Sequence, residues 1–202
     1  MIAVIDYGMG NLRSVAKALE AAGAADVRIT SDPKIISQAD KIVLPGVGAI
    51  KEAMRELRRL GLIKVIKDNI FKKPFLGICL GLQLLFSESE EGGKVKGLGI
   101  FPGIVRRFPN KLKVPHMGWN QVRITNHESR ITNFRNISNN SFFYFCHSYY
   151  AAPKDKSLIA AVTDYGKEFV SAIAKDNLFA CQFHPEKSQE SGLRLLKNFV
   201  KI

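Results

Sequence analysis

Gly77-Ile78-Cys79-Leu80-Gly81, entered from Lys73-Pro74-Phe75-Leu76, constrains this chain more than any other stretch. An apolar run ending at a cysteine, with glycine two residues to either side, reads as a buried strand breaking into a sharp strand-to-helix turn. Such a turn crowds its neighbours, and residues without a Cβ relieve the crowding. The one side chain pushed into open space is a thiol. A helix from Leu80 to about Phe86 would aim its first N–H groups at that sulfur and favour thiolate. Cysteine is also often buried for packing alone, so this frame by itself leaves both readings open.

The first half alternates short apolar runs with helical patterns. Ile2–Ile5, Val27–Thr30, Lys41–Leu44 and Phe75–Ile78 read as strands. Asn11 is placed to N-cap a helix reaching about Ala22, with Gly23 as its stop. Ser31-Asp32-Pro33 reads as a break. Ile50, Ala53, Met54, Leu57 and Leu60 recur at helical spacing, and Leu62–Ile70 continues as helix after Gly61. Strand–helix alternation implies a parallel sheet covered on both faces, with ligands at the carboxyl ends of its strands. Three turns fall at such ends: Gly8–Gly10, Pro45–Gly48 and the Cys79 turn.

From about Leu98 the pattern becomes strands and turns: Gly99–Phe108, Trp119–Thr125, Phe142–Cys146, Leu158–Val162, Phe169–Ala174 and Leu178–Phe183. Ser188–Val200 reads as a closing helix. Asn126–Ser141 is polar and reads as an exposed loop, with His127 in solvent. The expected fold is α/β and flavodoxin-like. It has a mainly parallel central sheet, flanking helices and additional antiparallel strands in the second half, in one domain over residues 1–202.

No apolar run is long enough for a membrane span, and the start lacks the basic region and cleavage site of a leader. Three cysteines, Cys79, Cys146 and Cys181, make no complete disulfide set. A cytoplasmic, reduced setting is expected. The net charge of +12 is spread along the chain, without the aromatic–basic stacking pattern of RNA binders. It reads as a solvated face with a share for acidic partners, and neither nucleic acid nor membrane is expected as a partner.

A nucleophilic thiol needs a base and a group that orients the base. Among the four histidines, His184 in Gln182-Phe183-His184-Pro185-Glu186 suits best. It lies at a strand end, and after a turn at Pro185 the Glu186 carboxylate reaches the imidazole Nδ1. No cysteine or histidine pair has zinc-ligand spacing, and Gly8-Met9-Gly10 lacks the third glycine of a dinucleotide loop; no metal or cofactor is expected.

Together these residues resemble the class I (triad) glutamine amidotransferases, in which a G-x-C-x-G turn is joined by a later H-P-E. Asp6–Asn11, Leu44–Gly48, Gly77–Gln83, Pro115–Asn120, His147–Tyr149 and Gln182–Ser188 narrow the resemblance to the glutaminase subunits of imidazole glycerol phosphate synthase. The resemblance implies that Cys79 attacks the amide carbon of glutamine, His184 moves the proton and Glu186 orients His184. It implies an oxyanion hole from Val47, Gly48 and the Leu80 N–H, and glutamine contacts at Gln83, His147, Ser148 and Tyr149. It also implies a heterodimer in which ammonia passes to a cyclase subunit, for histidine biosynthesis with a link to purine synthesis. Asn11, His116, Trp119, Asn120 and Lys187 are expected at or near the docking face, with Trp119 in a glycine-rich turn. Ala49-Ile50 and Ala180 depart from the family pattern without removing a catalytic group. Left open are the same chemistry feeding sugar modification, a flavodoxin-like anion or nucleic-acid binder, and a cysteine peptidase.

Overall fold

The computed structural model describes residues 1–125 and 132–202. In chain order β1 (Ile2–Ile5) leads into α1 (Leu12–Ala21), followed by β2 (Val27–Thr30), α2 (Pro33–Gln38) and β3 (Lys41–Leu44). Next come α3 (Ile50–Arg59), α4 (Leu62–Asn69), β4 (Phe75–Ile78), α5 (Leu80–Gln83) and β5 (Phe86–Ser89). The second half holds β6 (Val95–Lys96), β7 (Phe101–Arg107), β8 (His116–Ile124), β9 (Ser141–His147), β10 (Tyr149–Pro153), β11 (Ile159–Asp164), β12 (Glu168–Lys175), β13 (Leu178–Cys181) and α6 (Gln189–Lys201).

The sheet runs β2-β1-β3-β4-β13-β12-β10-β7-β5-β6, with β11, β8 and β9 branching from β12. Its first five strands are parallel throughout, and antiparallel pairs dominate beyond β13. Period-two alternation distributes β1 between two cores. Ala3 and Ile5 pack with α2, α3 and α4 residues such as Ile36, Met54 and Ile66. Ile2 and Val4 pack with Val15 and Leu19 of α1 and Leu195 and Phe199 of α6. Each such buried Leu, Ile or Phe contributes roughly 1.5–3 kcal/mol, which is what holds helices on both faces. Among the described residues no helix is long and apolar enough to cross a membrane.

Local signals behave as their chemistry requires. The Asn11 side chain accepts the Ser14 N–H at 3.3 Å to start α1, and Gly23 takes φ +99° just past its end. Asp32 and Pro33 do more than break the chain: Asp32 accepts the Lys34 N–H at 2.8 Å and caps α2.

The larger corrections are non-local. The helix after Cys79 is a single turn, Leu80–Gln83, not a helix to Phe86. Leu84, Leu85 and Phe86 are all buried, so an uninterrupted apolar run hid the change of period. Backbone partners downstream claim them: Leu98 N–H donates to Leu84 O at 2.8 Å, and Ile100 N–H to Leu85 O at 2.9 Å. No long helix dipole therefore acts on Cys79. The strands β5, β6 and β10 are additions to the expected set. Of the expected Asn126–Ser141 loop, residues 126–131, His127 included, lie outside the described residues. Asn133 and Phe134 are buried against α6 and not exposed, because Asn198 Nδ2 donates to the carbonyls of Asn133 and Arg135 at 3.0 and 2.7 Å.

Candidate active site

Cys79 sits at φ 53°, ψ −103°, a backbone region that L-residues seldom occupy. The surrounding structure holds it there. Its N–H donates to Cys181 O at 2.8 Å, tying the turn to the neighbouring parallel strand. A Cβ at Gly81 would lie 1.9 Å from Leu44 O, and one at Gly77 would lie 2.9 Å from the Ala180 Cβ. The two flanking glycines are thus needed for close approach to β3 and β13.

Because β4 and β13 are parallel neighbours in the register Ile78↔Cys181, the chain leaves both at the same edge. That edge carries Cys79 from one strand and His184 from the other. His184 N–H donates to Tyr144 O at 2.9 Å, and Pro185–Lys187 form a 3-10 turn. The turn brings the Glu186 carboxylate 2.8 Å from His184 Nδ1, both side chains being almost fully buried. Ser188 staples the turn: its hydroxyl donates to His184 O at 2.6 Å and accepts the Tyr144 N–H at 2.9 Å. Burial alone would lower the His184 pKa; hydrogen bonding to Cys79 and Glu186, with their charges, outweighs it and raises the imidazole to about 10. Cys181 is fully buried, with its thiol pKa pushed up by burial and by the charges of Glu186 and Cys79, so it stays an inert thiol.

Cys79 and His184 line a cleft of about 410 Å³ that also holds Val47, Gly48, Leu80, Gln83 and the segment 146–149. Leu80 N–H points at Gly46 O, 3.3 Å away, so this amide already has an acceptor. Gly46 is itself confined: a Cβ there would fall 2.0 Å from Tyr7 Oη. Burial, reinforced by Cys79, pushes the Tyr7 hydroxyl pKa far up, and that hydroxyl donates to Pro45 O at 2.8 Å.

The pocket residues fall into two kinds. Ser148 and Tyr149 line the cleft half-buried. Gln83 and His147 line it too, but their polar groups are committed inside the protein. Gln83 Nε2 donates to Tyr149 O at 3.0 Å and to Gln182 Oε1 at 3.1 Å. His147 Nδ1 lies 2.8 Å from Tyr149 O and its Nε2 lies 3.2 Å from His116 Nδ1.

His116–Asn120 is strand, not a glycine-rich turn: β8 begins at His116 and pairs antiparallel with β9. Alternation then separates residues expected on one docking face. His116, only 3% exposed, turns inward and stacks on Phe145 and Tyr165. Its ring therefore presents no surface to a partner. Asn120 also turns inward, donating to Asp164 O at 2.8 Å and lying 3.3 Å from His116 Nε2. The outward face carries Met117, Trp119 and Phe142, which are 61%, 46% and 52% exposed. Lys187 is exposed beside them, its Nζ 5.8 Å above the Tyr144 ring. Asn11 is exposed while capping α1.

A thiol on a strained turn, an imidazole oriented by a buried carboxylate and a cleft at the carboxyl edge describe acyl transfer through a thioester. The family profile described as "Glutamine amidotransferase class-I" matches residues 3–202. The chain belongs to the class-I glutamine amidotransferases. It is 56% identical over 202 residues to imidazole glycerol phosphate synthase subunit HisH of Acinetobacter baylyi, covering 99% of this chain and 97% of that protein. It is 54% identical over 199 residues to the protein of the same description in Aquifex aeolicus, covering 98% and 95%. Among solved structures, one described as a glutamine amidotransferase covers both chains completely at 14% identity with TM-score 0.76. A second, the CTPS glutaminase domain of Trypanosoma brucei with bound acivicin, covers 99% and 93% at 19% identity with TM-score 0.64. At those identities the likeness is one of fold.

Within this amidotransferase fold, sequence reasoning missed Glu91. It lines the cleft, and its carboxylate accepts the Ile50 N–H at 2.9 Å, capping α3 where Ala49 has no side chain to do so. Burial raises the Glu91 pKa despite that hydrogen bond. The run of acids Glu88, Glu90 and Glu91 in a basic chain was the available signal. Ser188 was visible only as the end of the H-P-E motif.

Proposed function

We propose that this chain is the glutaminase subunit of an imidazole glycerol phosphate synthase, releasing ammonia from glutamine for a cyclase subunit in histidine biosynthesis. The observation that carries the reading is the His184–Glu186 pair at 2.8 Å in the cleft that holds Cys79. The Cys79 sulfur attacks the side-chain amide carbon of glutamine, and the carbonyl π electrons move onto oxygen. His184 already holds the thiol proton as an imidazolium, as its raised pKa requires. As the tetrahedral intermediate collapses, the C–N bond breaks and His184 returns the proton to the departing ammonia. Water, deprotonated by His184, then adds to the glutamyl thioester, and glutamate leaves as the thiolate–imidazolium pair is restored. Glu186 keeps Nδ1–H occupied throughout, so Nε2 faces the sulfur. The Glu91 carboxylate suits the α-ammonium of the substrate, with Ser148 and Tyr149 as the opposite wall.

The oxyanion requires a local change. A turn of the Gly46–Val47 peptide frees the Leu80 N–H from its carbonyl acceptor and swings the Val47 N–H toward the cleft. Gly48, at φ +93°, takes up the accompanying backbone rotation. Partner docking is a natural trigger, because Val47 is exposed at the cleft mouth. The exposed row Met117, Trp119 and Phe142 supplies apolar anchors beside Lys187, and the exposed Asn11 is a further contact in this reading. Pro115, Cys146 and Lys187 line the cleft as well, so this face is continuous with the cleft that holds Cys79. The +12 charge favours an acidic rim on the cyclase and, with three free thiols, a cytoplasmic setting.

The test is glutamate release from glutamine with and without the cyclase. Turnover stimulated by the cyclase and abolished by Cys79→Ala is the expected result. Full stimulated turnover in Cys79→Ala, or labelling of Cys146 in place of Cys79 by a glutamine-like diazo ketone, overturns the mechanism.

A further inference from the structure

Gln182 is fully buried, and its Nε2 lies 3.6 Å from the Cys79 sulfur. The orientation of its carboxamide follows from a fixed reference, the backbone carbonyl of Tyr149. A carbonyl only accepts, so the Gln83 group facing it is the NH₂, at 3.0 Å. The second proton of that NH₂ points at Gln182, which must answer with its oxygen, at 3.1 Å. The Gln182 NH₂ is then left facing the sulfur. Turning either amide over sets two donors or two acceptors against each other inside a buried site.

The same reference carbonyl is held from behind. His147 Nδ1–H donates to it, which leaves His147 Nε2 as an acceptor for His116 Nδ1–H at 3.2 Å. His116 Nε2 in turn accepts from Asn120 Nδ2, whose Oδ1 is occupied by the Gln121 N–H at 2.8 Å. Each tautomer is thereby determined by its neighbour, and both rings are neutral, as their burial favours.

We propose that Gln182 is a catalytic residue: its carboxamide N–H donates to the Cys79 sulfur and stabilises the thiolate, with its donor side held toward sulfur by Gln83 and the Tyr149 carbonyl. The His147–His116–Asn120 chain positions that carbonyl. A hydrogen bond to an ionised partner is stronger than one to the neutral form, so the donor favours thiolate over thiol. The proposal rests on Cys79 being the glutaminase nucleophile, but its chemistry is readable without glutamine.

The experiment is alkylation of Cys79 in the full-length chain by iodoacetamide, followed against pH by mass spectrometry. Gln182→Met keeps the volume and removes the donor; Gln182→Glu keeps the shape and puts an oxygen toward sulfur. The expected rate at pH 7 falls about tenfold in Gln182→Met and further in Gln182→Glu, while all three proteins converge at high pH. With the cyclase present, kcat for glutamate release falls with the glutamine KM nearly unchanged. Unchanged alkylation in Gln182→Met, or an equal loss at every pH, overturns the proposal, since the first removes the donor's effect and the second is lost access. In the unmutated chain the Gln182 side-chain amide protons should shift in NMR spectra as Cys79 ionises, and stay still in Cys79→Ala. Absence of that shift overturns the proposal without relying on a variant that folds. A wild-type chain with this alkylation behaviour but no glutaminase activity with cyclase would sink the proposed function and leave Gln182 standing.

Discussion

Leu80 gives its N–H to the Gly46 carbonyl, 3.3 Å away, so the amide that follows Cys79, the proposed nucleophile, already has an acceptor. One donor missing from an oxyanion site typically costs about 10²–10³ in rate. The isolated chain is therefore expected to hydrolyse glutamine at least ~10²-fold more slowly than the complex with its cyclase, with the difference in kcat. Steady-state glutamate assays on both forms check this; equal kcat values would show that the Leu80 amide is not limiting.

Glu186→Gln keeps the size of the side chain but removes the carboxylate that accepts from His184 Nδ1. The imidazole then loses its fixed tautomer and the charge that supports its protonated form. A fall in kcat of about 10²–10⁴, with little change in thermal midpoint, is expected. Pre-steady-state thioester formation locates the loss; a defect confined to KM would mean Glu186 is not the orienter.

Acid should destabilise this protein through His116 and His147. Burial lowers their pKa values to about 4 and about 3, the second also through the charges of His116 and His184. An unfolded histidine titrates near ~6.5. Between those limits the unfolded chain binds protons that the native state refuses, so stability is whole above about pH 6.5 and falls below it. The slope reaches up to about 1.4 kcal/mol per pH unit for each ring. His184, raised to about 10, works in the opposite window. Its contribution is complete below about pH 6.5 and fades as pH rises toward 10, so it stays constant during acidification. Urea titrations from pH 7 to 5 on the wild type and His147→Gln test this. The variant should show a shallower slope, and identical slopes would count against neutral buried rings.

Trp119→Ala should separate docking from chemistry. Trp119 projects from the outward face of β8 and meets Tyr144 edge-on at 6.2 Å between ring centroids. Truncating an interface anchor of this kind typically costs about 2 kcal/mol or more, roughly thirtyfold in affinity. Titrating the cyclase into the glutaminase assay should show that weakening, with the unstimulated rate unchanged. An unaltered half-saturation point would place the interface elsewhere.

Much of this was readable along the chain. Strand–helix alternation in the first half, the Asn11 cap, the Cys79 turn and the reach of Glu186 to His184 all depend on residues close in sequence. The errors share a cause. Leu84, Leu85 and Phe86 after Gln83 are all apolar and buried, so periodicity could not mark where α5 stops and β5 starts. In Pro115–Asn120 the glycine suggested a turn, and only the pairing of β8 with β9 reveals that alternate residues face opposite ways. That pairing sends Trp119 outward and His116 inward.

By itself the sequence singled out the groups proposed to do the chemistry, because a thiol between glycines and a histidine two residues from a glutamate carry their geometry in short-range spacing. Tertiary structure decided everything that joins them. Parallel pairing of β4 with β13 brings Cys79 and His184 to one edge, contact with Leu44 and Ala180 makes the flanking glycines necessary, and Gly46 claims the Leu80 amide. Those outcomes depend on which distant backbone fills each donor, acceptor and gap, and that is settled only when the sheet closes.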